Sequence, residues 1–483
     1  MASHVSKYLL AGAPLAALLA GVPIAAAIAI FFLTPRDATW RADSRDGIYD
    51  NASNWSSGSV PDGTAFFGAS SRSDLTFRRG YIARYHRPNG LLLSSEGWIS
   101  VGGWTFNPGA ANYQFKIGPA EYPINETIRV PCTGERLRFT GAGIAVNGGS
   151  VSFVNDSCLA FVSKSTAGTA SIVNNKWLEF HDGGTAGHAS IVNNNVLRFY
   201  DATAGDASIT NNFEMAFRSK SSGANSSIVN NGRIWIWESS TGGRASINNA
   251  APDSIVILDR AEVSLGSITG PGKVDLYQAR LFVGSTDQSM TISGAITGES
   301  GIEREGSLVK IGSGTLTLTG TNSYSGMTAV HGGALAVNGF NARSRLTIVD
   351  GGTAVLTGNG TVGHTEVGQF GTLAPGVADA PGSSIDIAGN LTFEPRAIYA
   401  LRIDPSAATF AKVTGHAALD GAKVNVVYDQ HDPGSYVERK YTILDTGGGV
   451  SGTFTPGVIG PPAGFHAELS YDDQHVYLSL VKR

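Results

Sequence analysis

The stretch "SIVNN" stands at residues 171–175, 190–194 and 227–231, with "SITNN" at 208–212 and "SINN" at 246–249. Aligned on the apolar residue that follows the serine, the units place Phe153, Ile172, Ile191, Ile209, Ile228 and Ile247 at intervals of 19, 19, 18, 19 and 19 residues. Two positions after each anchor comes an asparagine: Asn155, Asn174, Asn193, Asn211, Asn230 and Asn249. Six and eight positions after it come Leu159 and Phe161, Leu178 and Phe180, Leu197 and Phe199, Met215 and Phe217, then Ile234 and Ile236. The last unit is expected to supply Ile255 and Ile257 instead, after a small corner insertion. Four positions before the anchor lie Gly168, Gly187, Gly205 and Gly243, with Gly223 displaced by one.

A unit this short cannot hold paired helices, and the L-x-x-L-x-L-x-x-N core of leucine-rich repeats is absent. Two short alternating apolar segments per unit instead predict an all-β chain folded as a right-handed parallel β-helix, with equivalent residues stacked about 4.8 Å apart. Inward Ile, Leu and Phe columns then form the core, and glycine takes the bent or left-handed corners. The asparagine column is expected to be a structural ladder in which each side-chain amide donates to one neighbouring rung and accepts from the other.

Composition agrees with this reading. Glycine accounts for 62 of 483 residues and charged residues for 15%, a balance that favours strands and turns over helices. A net charge of −4 leaves no electrostatic footprint for nucleic acid. Residues 8–33, "YLLAGAPLAALLAGVPIAAAIAIFFL", follow Lys7 and carry no charge until Arg36. With Ala25, Ala26 and Ala27 they read as an export signal with an A-x-A cleavage site, and their length would also serve an uncleaved N-terminal anchor. Either way the body of the chain leaves the cytoplasm. Cys132 and Cys158 could pair in an oxidising compartment or remain structural thiols, and no Cys/His spacing suits a metal.

Residues 35–130 lack the period and read as an N-terminal cap, with Trp55 of "NWSSGSVP" buried rather than offered to a sugar, as Trp98 and Trp104 also could be. Residues 131–300 hold the 19-residue rungs. Within residues 301–400 stands "GSLVKIGSGTLTLTGTNSYSGMTAVHGGALAVNG", at 306–339. Its Lys310, Gly312, Gly314, Thr315, Leu316, Leu318, Gly320, Asn322, Tyr324, Gly326, Thr328, Gly333 and Leu335 resemble the autotransporter-associated β-strand repeat. The opening N-W-x-x-G-x-V-P segment resembles the start of autotransporter passenger domains. Residues 401–483, with "YTILDTGGGVSGTF" and "AELSYDDQHVYLSLVKR", are similar to the junction that precedes the membrane barrel and acts there as an autochaperone. The resemblance implies type V secretion. A barrel of 8 or more strands of about 10 residues would follow such a passenger. The sequence stops at Arg483 without one, so the expectation is a truncated product, a separately encoded barrel, or a periplasmic protein built from the same repeat.

No catalytic constellation stands out. Asp182, Asp201 and Glu238, ten positions after their anchors with Ser219 interrupting, are the best candidates for paired acids or a weak cation site, and their place after a strand suits solvated turns. His181, His188 and His331 have no partner at useful spacing, and no G-x-S-x-G, H-E-x-x-H or P-loop pattern occurs. The expectation is therefore a non-enzymatic exported passenger-like protein, with no catalytic, cofactor or metal residues. Its repetitive surface would serve adhesion or self-association at the cell surface, outer membrane or outside the cell, with host or neighbouring-cell glycans or proteins as partners. Membrane contact would run only through the N-terminal segment or a separate barrel. The alternatives are a carbohydrate-active β-helix lyase or hydrolase, and an anchored periplasmic or envelope structural protein.

Overall fold

The computed structural model describes residues 35–77, 82–86, 92–96, 98–118, 136–259, 262–298, 305–344, 347–349, 352–428 and 435–483. The signal or anchor segment and Cys132 lie outside the described residues. The chain divides into two compact units, one up to Ala170 and the other Ser171–Arg483. Among the described residues the regular elements are strands beside a 3-10 turn at Ala52–Asn54, and most strands pair in parallel. Among the described residues, no helix is long and apolar enough to cross a membrane.

In the second unit each short strand lies on the equivalent strand of the next coil. Ile172 pairs with Ile191, Ile191 with Ile209, Ile209 with Ile228 and Ile228 with Ile247, all without slippage. The second strand of each coil follows suit, Leu178 on Leu197 on Met215 on Ile234 and Phe180 on Phe199 on Phe217 on Ile236. These side chains are all buried. Phe180, Phe199 and Phe217 stack with ring centroids 4.9 Å apart at both steps, the spacing of the coils themselves. The molecule is a parallel β-helix because alternation sends one set of side chains inward and in-register stacking makes that set continuous.

One expected register is corrected. Ile234 and Ile236 pair with Val256 and Leu258, so Ile255 and Ile257 face outward and the insertion is three residues, not two. The run "IVIL" is apolar on both faces, so alternation alone could not choose between the two sets.

A third, one-residue column runs through Thr185, Thr203, Ser222 and Thr241, joined by isolated parallel bridges. Each of these hydroxyls accepts a hydrogen bond from the backbone N–H two residues on, at 3.0–3.1 Å, fixing the corner where the glycine column turns left-handed. Gly187, Gly205 and Gly243 have φ of +61° to +62°, and Ala224 adopts +49° in the same column, which explains why Gly223 looked displaced.

The inward asparagines form the expected ladder. Asn174 Nδ2 donates to Asn193 Oδ1 at 2.7 Å, Asn193 to Asn211 at 2.7 Å, Asn211 to Asn230 at 2.8 Å and Asn230 to Asn249 at 2.8 Å. Each Nδ2 also reaches a main-chain carbonyl of the next coil, such as Val196 O at 2.8 Å and Glu214 O at 2.9 Å, which fixes which way the amide points. The ladder closes at Asn249, whose Oδ1 also accepts from Ser254 Oγ and whose Nδ2 donates to Lys273 O. In the first unit, Asn155 is likewise buried, and its Oδ1 accepts from Ser157 N. The exposed second asparagines form another ladder of opposite sense: Asn194 Nδ2 donates back to Asn175, Asn212 to Asn194 and Asn231 to Asn212, at 2.8–2.9 Å.

From Glu262–Leu265 onward the coils carry three extended sheets, the longest running by parallel pairing from that strand to Val450–Ser451. The C-terminal end changes style. His475–Lys482 pairs antiparallel with Arg439–Thr446, and Phe465–Tyr471 pairs antiparallel with it in turn, leaving a largely exposed outer strand. In the first unit Trp55 and Trp104 are fully buried, donating to Tyr49 O at 2.7 Å and Tyr49 Oη at 3.0 Å, so they are core residues and not open platforms for sugar.

The two ladders predict different sensitivities. Asn193→Ala leaves Asn211 Oδ1 and the Glu214 carbonyl without their amide donor in the core and should lower unfolding free energy by about 2–4 kcal/mol. Asn212→Ala, on the exposed ladder, should cost less than about 1 kcal/mol. Denaturant titration of the two variants checks this, and equal losses would contradict it.

Candidate functional site

The carboxylate column is a corner. Asp182, Asp201, Ser219 and Glu238 have φ of +50°, +45°, +61° and +58°, the left-handed region that short polar residues tolerate better than most. The coils there are tied by main-chain and capping bonds: Gly183 N donates to Asp201 O at 2.7 Å, and Ser219 N to the Glu238 carboxylate at 2.8 Å. Asp182, Asp201 and Glu238 are exposed. Among the described residues no three His, Cys, Asp or Glu side chains are grouped to hold a metal ion. His181 bonds Glu179 at 2.8 Å, His188 lies 3.7 Å from Asp206, and His331 is exposed. Cys158 is buried and disulfide-bonded; Cys132 lies outside the described residues, and the chain holds two cysteines in all.

The repeat motif at 306–339 builds two successive coils, Ser307–Lys310 with Thr315–Leu318 and then Thr328–Val330 with Ala334–Val337. Leu316 and Leu318 face inward and pair with Leu335 and Val337. Lys310 is fully buried, and its Nζ donates to the carbonyls of Ile311, Gly312 and Gly332 at 2.7, 2.9 and 3.0 Å. It therefore staples two consecutive corners. Tyr324 is also buried, its hydroxyl bonded to Thr328 Oγ1 at 2.6 Å, and Thr328 in turn meets Ser344 Oγ at 2.8 Å. Burial pushes the Tyr324 phenol up to about 12. Asn322 Oδ1 accepts from Ile296 N of the preceding coil. Gly314, Gly320 and Gly326 pass so close to neighbouring backbone that a Cβ on any of them would collide with a carbonyl oxygen. The motif residues hold coils together and face away from solvent chemistry.

The outward face of the Leu/Phe strands is different in kind. Alternation there turns outward Trp177, Glu179 and His181, then Arg198 and Tyr200, then Glu214 and Arg218, then Trp235 followed by Trp237, all half-buried, together with the exposed Arg233, while Val196 and Ala216 at the same positions are buried. In-register stacking converts the last position of each coil into a laminated column. His181 stacks on Tyr200 with centroids 5.0 Å apart and 8° between planes, and the Arg218 guanidinium lies 5.9 Å from the Tyr200 ring and 4.1 Å from the Trp237 ring. Arg198 lies 4.3 Å over Trp177 and pairs with Glu214 at 3.3 Å, while Arg233 lies 5.7 Å over Trp235. Trp235 and Trp237 meet edge to face at 4.7 Å. A concentration of half-buried Trp, Tyr and Arg on an outward strand face is the composition of a recognition surface.

Sequence reading passed over this face. Its signal lay nine positions after the anchors Ile172, Ile191, Ile209 and Ile228, where His181, Tyr200, Arg218 and Trp237 change identity from coil to coil while aromatic or arginine character persists.

Residues 308–337 match the passenger-associated-transport-repeat family. Over 160 residues, 32% of this chain, the sequence is 33% identical to an extracellular serine protease of Serratia marcescens, of which the match covers 15%. The chain thus spans a small part of that relative's length. A matched passenger repeat carried on a parallel β-helix makes this chain autotransporter passenger-like and related to type V secretion.

Lys310 gives a test. Burial lowers its pKa below the ordinary 10.5, partly offset by attraction to Asp287, so the folded chain releases this proton before the unfolded chain does. Stability from this site must then rise as pH climbs from the folded value toward 10.5. Lys310→Met should cost about 1–3 kcal/mol at neutral pH, where three carbonyls lose their donor. The wild-type advantage should be flat near neutrality and grow in alkali; unfolding titrations of both proteins across that range check it, and an advantage that shrinks would contradict it.

Proposed function

We propose that the chain is a non-enzymatic exported scaffold that uses the Trp/Tyr/Arg face for adhesion to glycans or proteins of a host or neighbouring cell. The observation that carries this reading is the face itself. Within four consecutive coils Trp177, Tyr200 and Trp235 stand half-buried on the outward side of strands whose opposite side is fully packed core, so the core gives no reason for aromatic residues there. A passenger-like chain is delivered outside the cytoplasm, where such a surface meets ligands, and the β-helix supplies a stiff support whose outward residues can change without disturbing the core.

Two features weigh against the carbohydrate-active enzyme as the leading reading. The acidic column it would need is a set of left-handed corner residues whose main chains tie coils together, with the Glu238 carboxylate itself capping Ser219 N. The aromatic face offers rings and guanidinium groups, with its acids Glu179 and Glu214 already bonded to His181 and Arg198. The serine protease activity named for the Serratia relative belongs to that protein.

The experiment is adhesion of protein-coated beads to epithelial and bacterial cell layers. The variant carrying Trp177→Ala, Tyr200→Ala and Trp235→Ala should keep its β-sheet circular dichroism and lose adhesion by about tenfold or more, as removal of a few interface anchors does. Adhesion equal to wild type in the folded variant would refute the reading.

A further inference from the structure

We propose that Arg218, clamped between Tyr200 and Trp237, is an anion-recognition subsite for an acidic polysaccharide. This inference rests on the adhesive-face reading and names its ligand class.

Register alone creates the clamp. Tyr200 pairs with Arg218 across one coil step, and the pairing of Phe217 with Ile236 sets Trp237 against Arg218 at the next. The guanidinium plane is thereby held between two rings before any ligand arrives, so little side-chain entropy remains to be lost on binding. Its charge is uncommitted. Among the described residues Arg218 has no carboxylate partner, because the acids beside it are engaged elsewhere, Glu214 with Arg198 at 3.3 Å and Glu238 with Ser219 N at 2.8 Å. Arg218 Nε and Trp237 Nε1 are both buried donors with no acceptor among the described residues. With Nε buried, what the half-buried Arg218 offers a ligand is its terminal N–H groups, and a charged oxygen acceptor repays their desolvation best.

The lamination also selects among ligands. Tyr200 has His181 stacked on it and the Arg218 guanidinium near its ring, and the guanidinium lies over Trp237, so the stacked column turns positive ring edges outward. A surface of ring edges and N–H donors attracts anionic oxygen. Arg233, one coil along, is likewise without a carboxylate partner among the described residues, so a polymer with repeated acidic groups can meet more than one cation along the face. Ala216, between Arg198 and Trp235 in register, keeps the middle of the face low. The chain as a whole carries −4, so a polyanion gains nothing from the molecule's general field and must be held locally.

The test is affinity electrophoresis and biolayer binding of the full chain to dextran sulfate and polygalacturonate, with neutral dextran and polyglutamate as comparison polymers. Wild type should bind at least one acidic polysaccharide about tenfold more tightly than neutral dextran, and Arg218→Gln should lose that margin. Arg218→Lys should lose most of it, because an ammonium keeps the charge without the fork, while Lys220→Gln should change nothing. Near-UV circular dichroism confirms that each variant is folded. Unchanged binding by Arg218→Gln, or no binding to either acidic polysaccharide, overturns the proposal, and equal binding to polyglutamate overturns the assignment to a polysaccharide. Cell adhesion that depends on the aromatic face without any acidic-polysaccharide binding would sink this inference and leave the adhesive reading standing; binding without adhesion would do the reverse.

Discussion

Everything in the second unit depends on coils stacking in strict register, and the buried asparagine amide is the group that makes the register strict. Each inward Asn bonds both the equivalent side chain and a backbone carbonyl of the next coil, so five buried amides joined by four side-chain bonds form one continuous chain from Asn174 to Asn249. A slip of one residue would turn these amides to solvent and drive the intervening side chains, such as Val192 and Thr210, into the core. Apolar columns alone would penalise that slip less sharply, because Ile and Val exchange at modest cost while an unpaired buried amide does not. The exposed ladder donates in the opposite direction, so the two rows of amide dipoles oppose each other instead of adding along the coil axis.

Register then propagates outward. The same stacking that lays Phe199 on Phe217 inside lays Tyr200 beside Arg218 outside, so a column of unlike residues becomes a laminated surface without any loop to build it. In the repeat motif the device changes but the purpose persists. Lys310 ties two corners through three carbonyls, and Tyr324, Thr328 and Ser344 form a buried hydroxyl chain in place of the amide ladder. Local polar bonds therefore fix the scaffold, and side chains at the intervening positions are free to carry recognition.

How much of this could be read in the sequence followed from which residues repeat as letters. The inward Ile, Leu, Phe and Asn columns repeat because each position must fill the same space in every coil, and they gave the fold and the ladder. Where several letters satisfy one constraint, reading fails. Ala224 occupies a left-handed corner otherwise held by glycine, and "IVIL" at 255–258 hides which side chains turn inward, so the register there depended on Ser254 folding back onto Asn249. The outward face was illegible for the same reason: His181, Tyr200, Arg218 and Trp237 share a column and no letter. Their common property is a flat, polarizable plane, which becomes apparent only once the coils are aligned.

The central claim is tested most directly by trapping the register covalently in solution. Thr210 and Val229 are paired on adjacent coils, and two cysteines on neighbouring parallel strands in register fall within disulfide reach, whereas partners offset by two residues do not. Thr210→Cys with Val229→Cys should oxidise to a crosslink that peptide mapping identifies, and Thr210→Cys with Asn231→Cys should not. A crosslink in the offset pair, with none in the registered pair, would contradict the stacked-coil account.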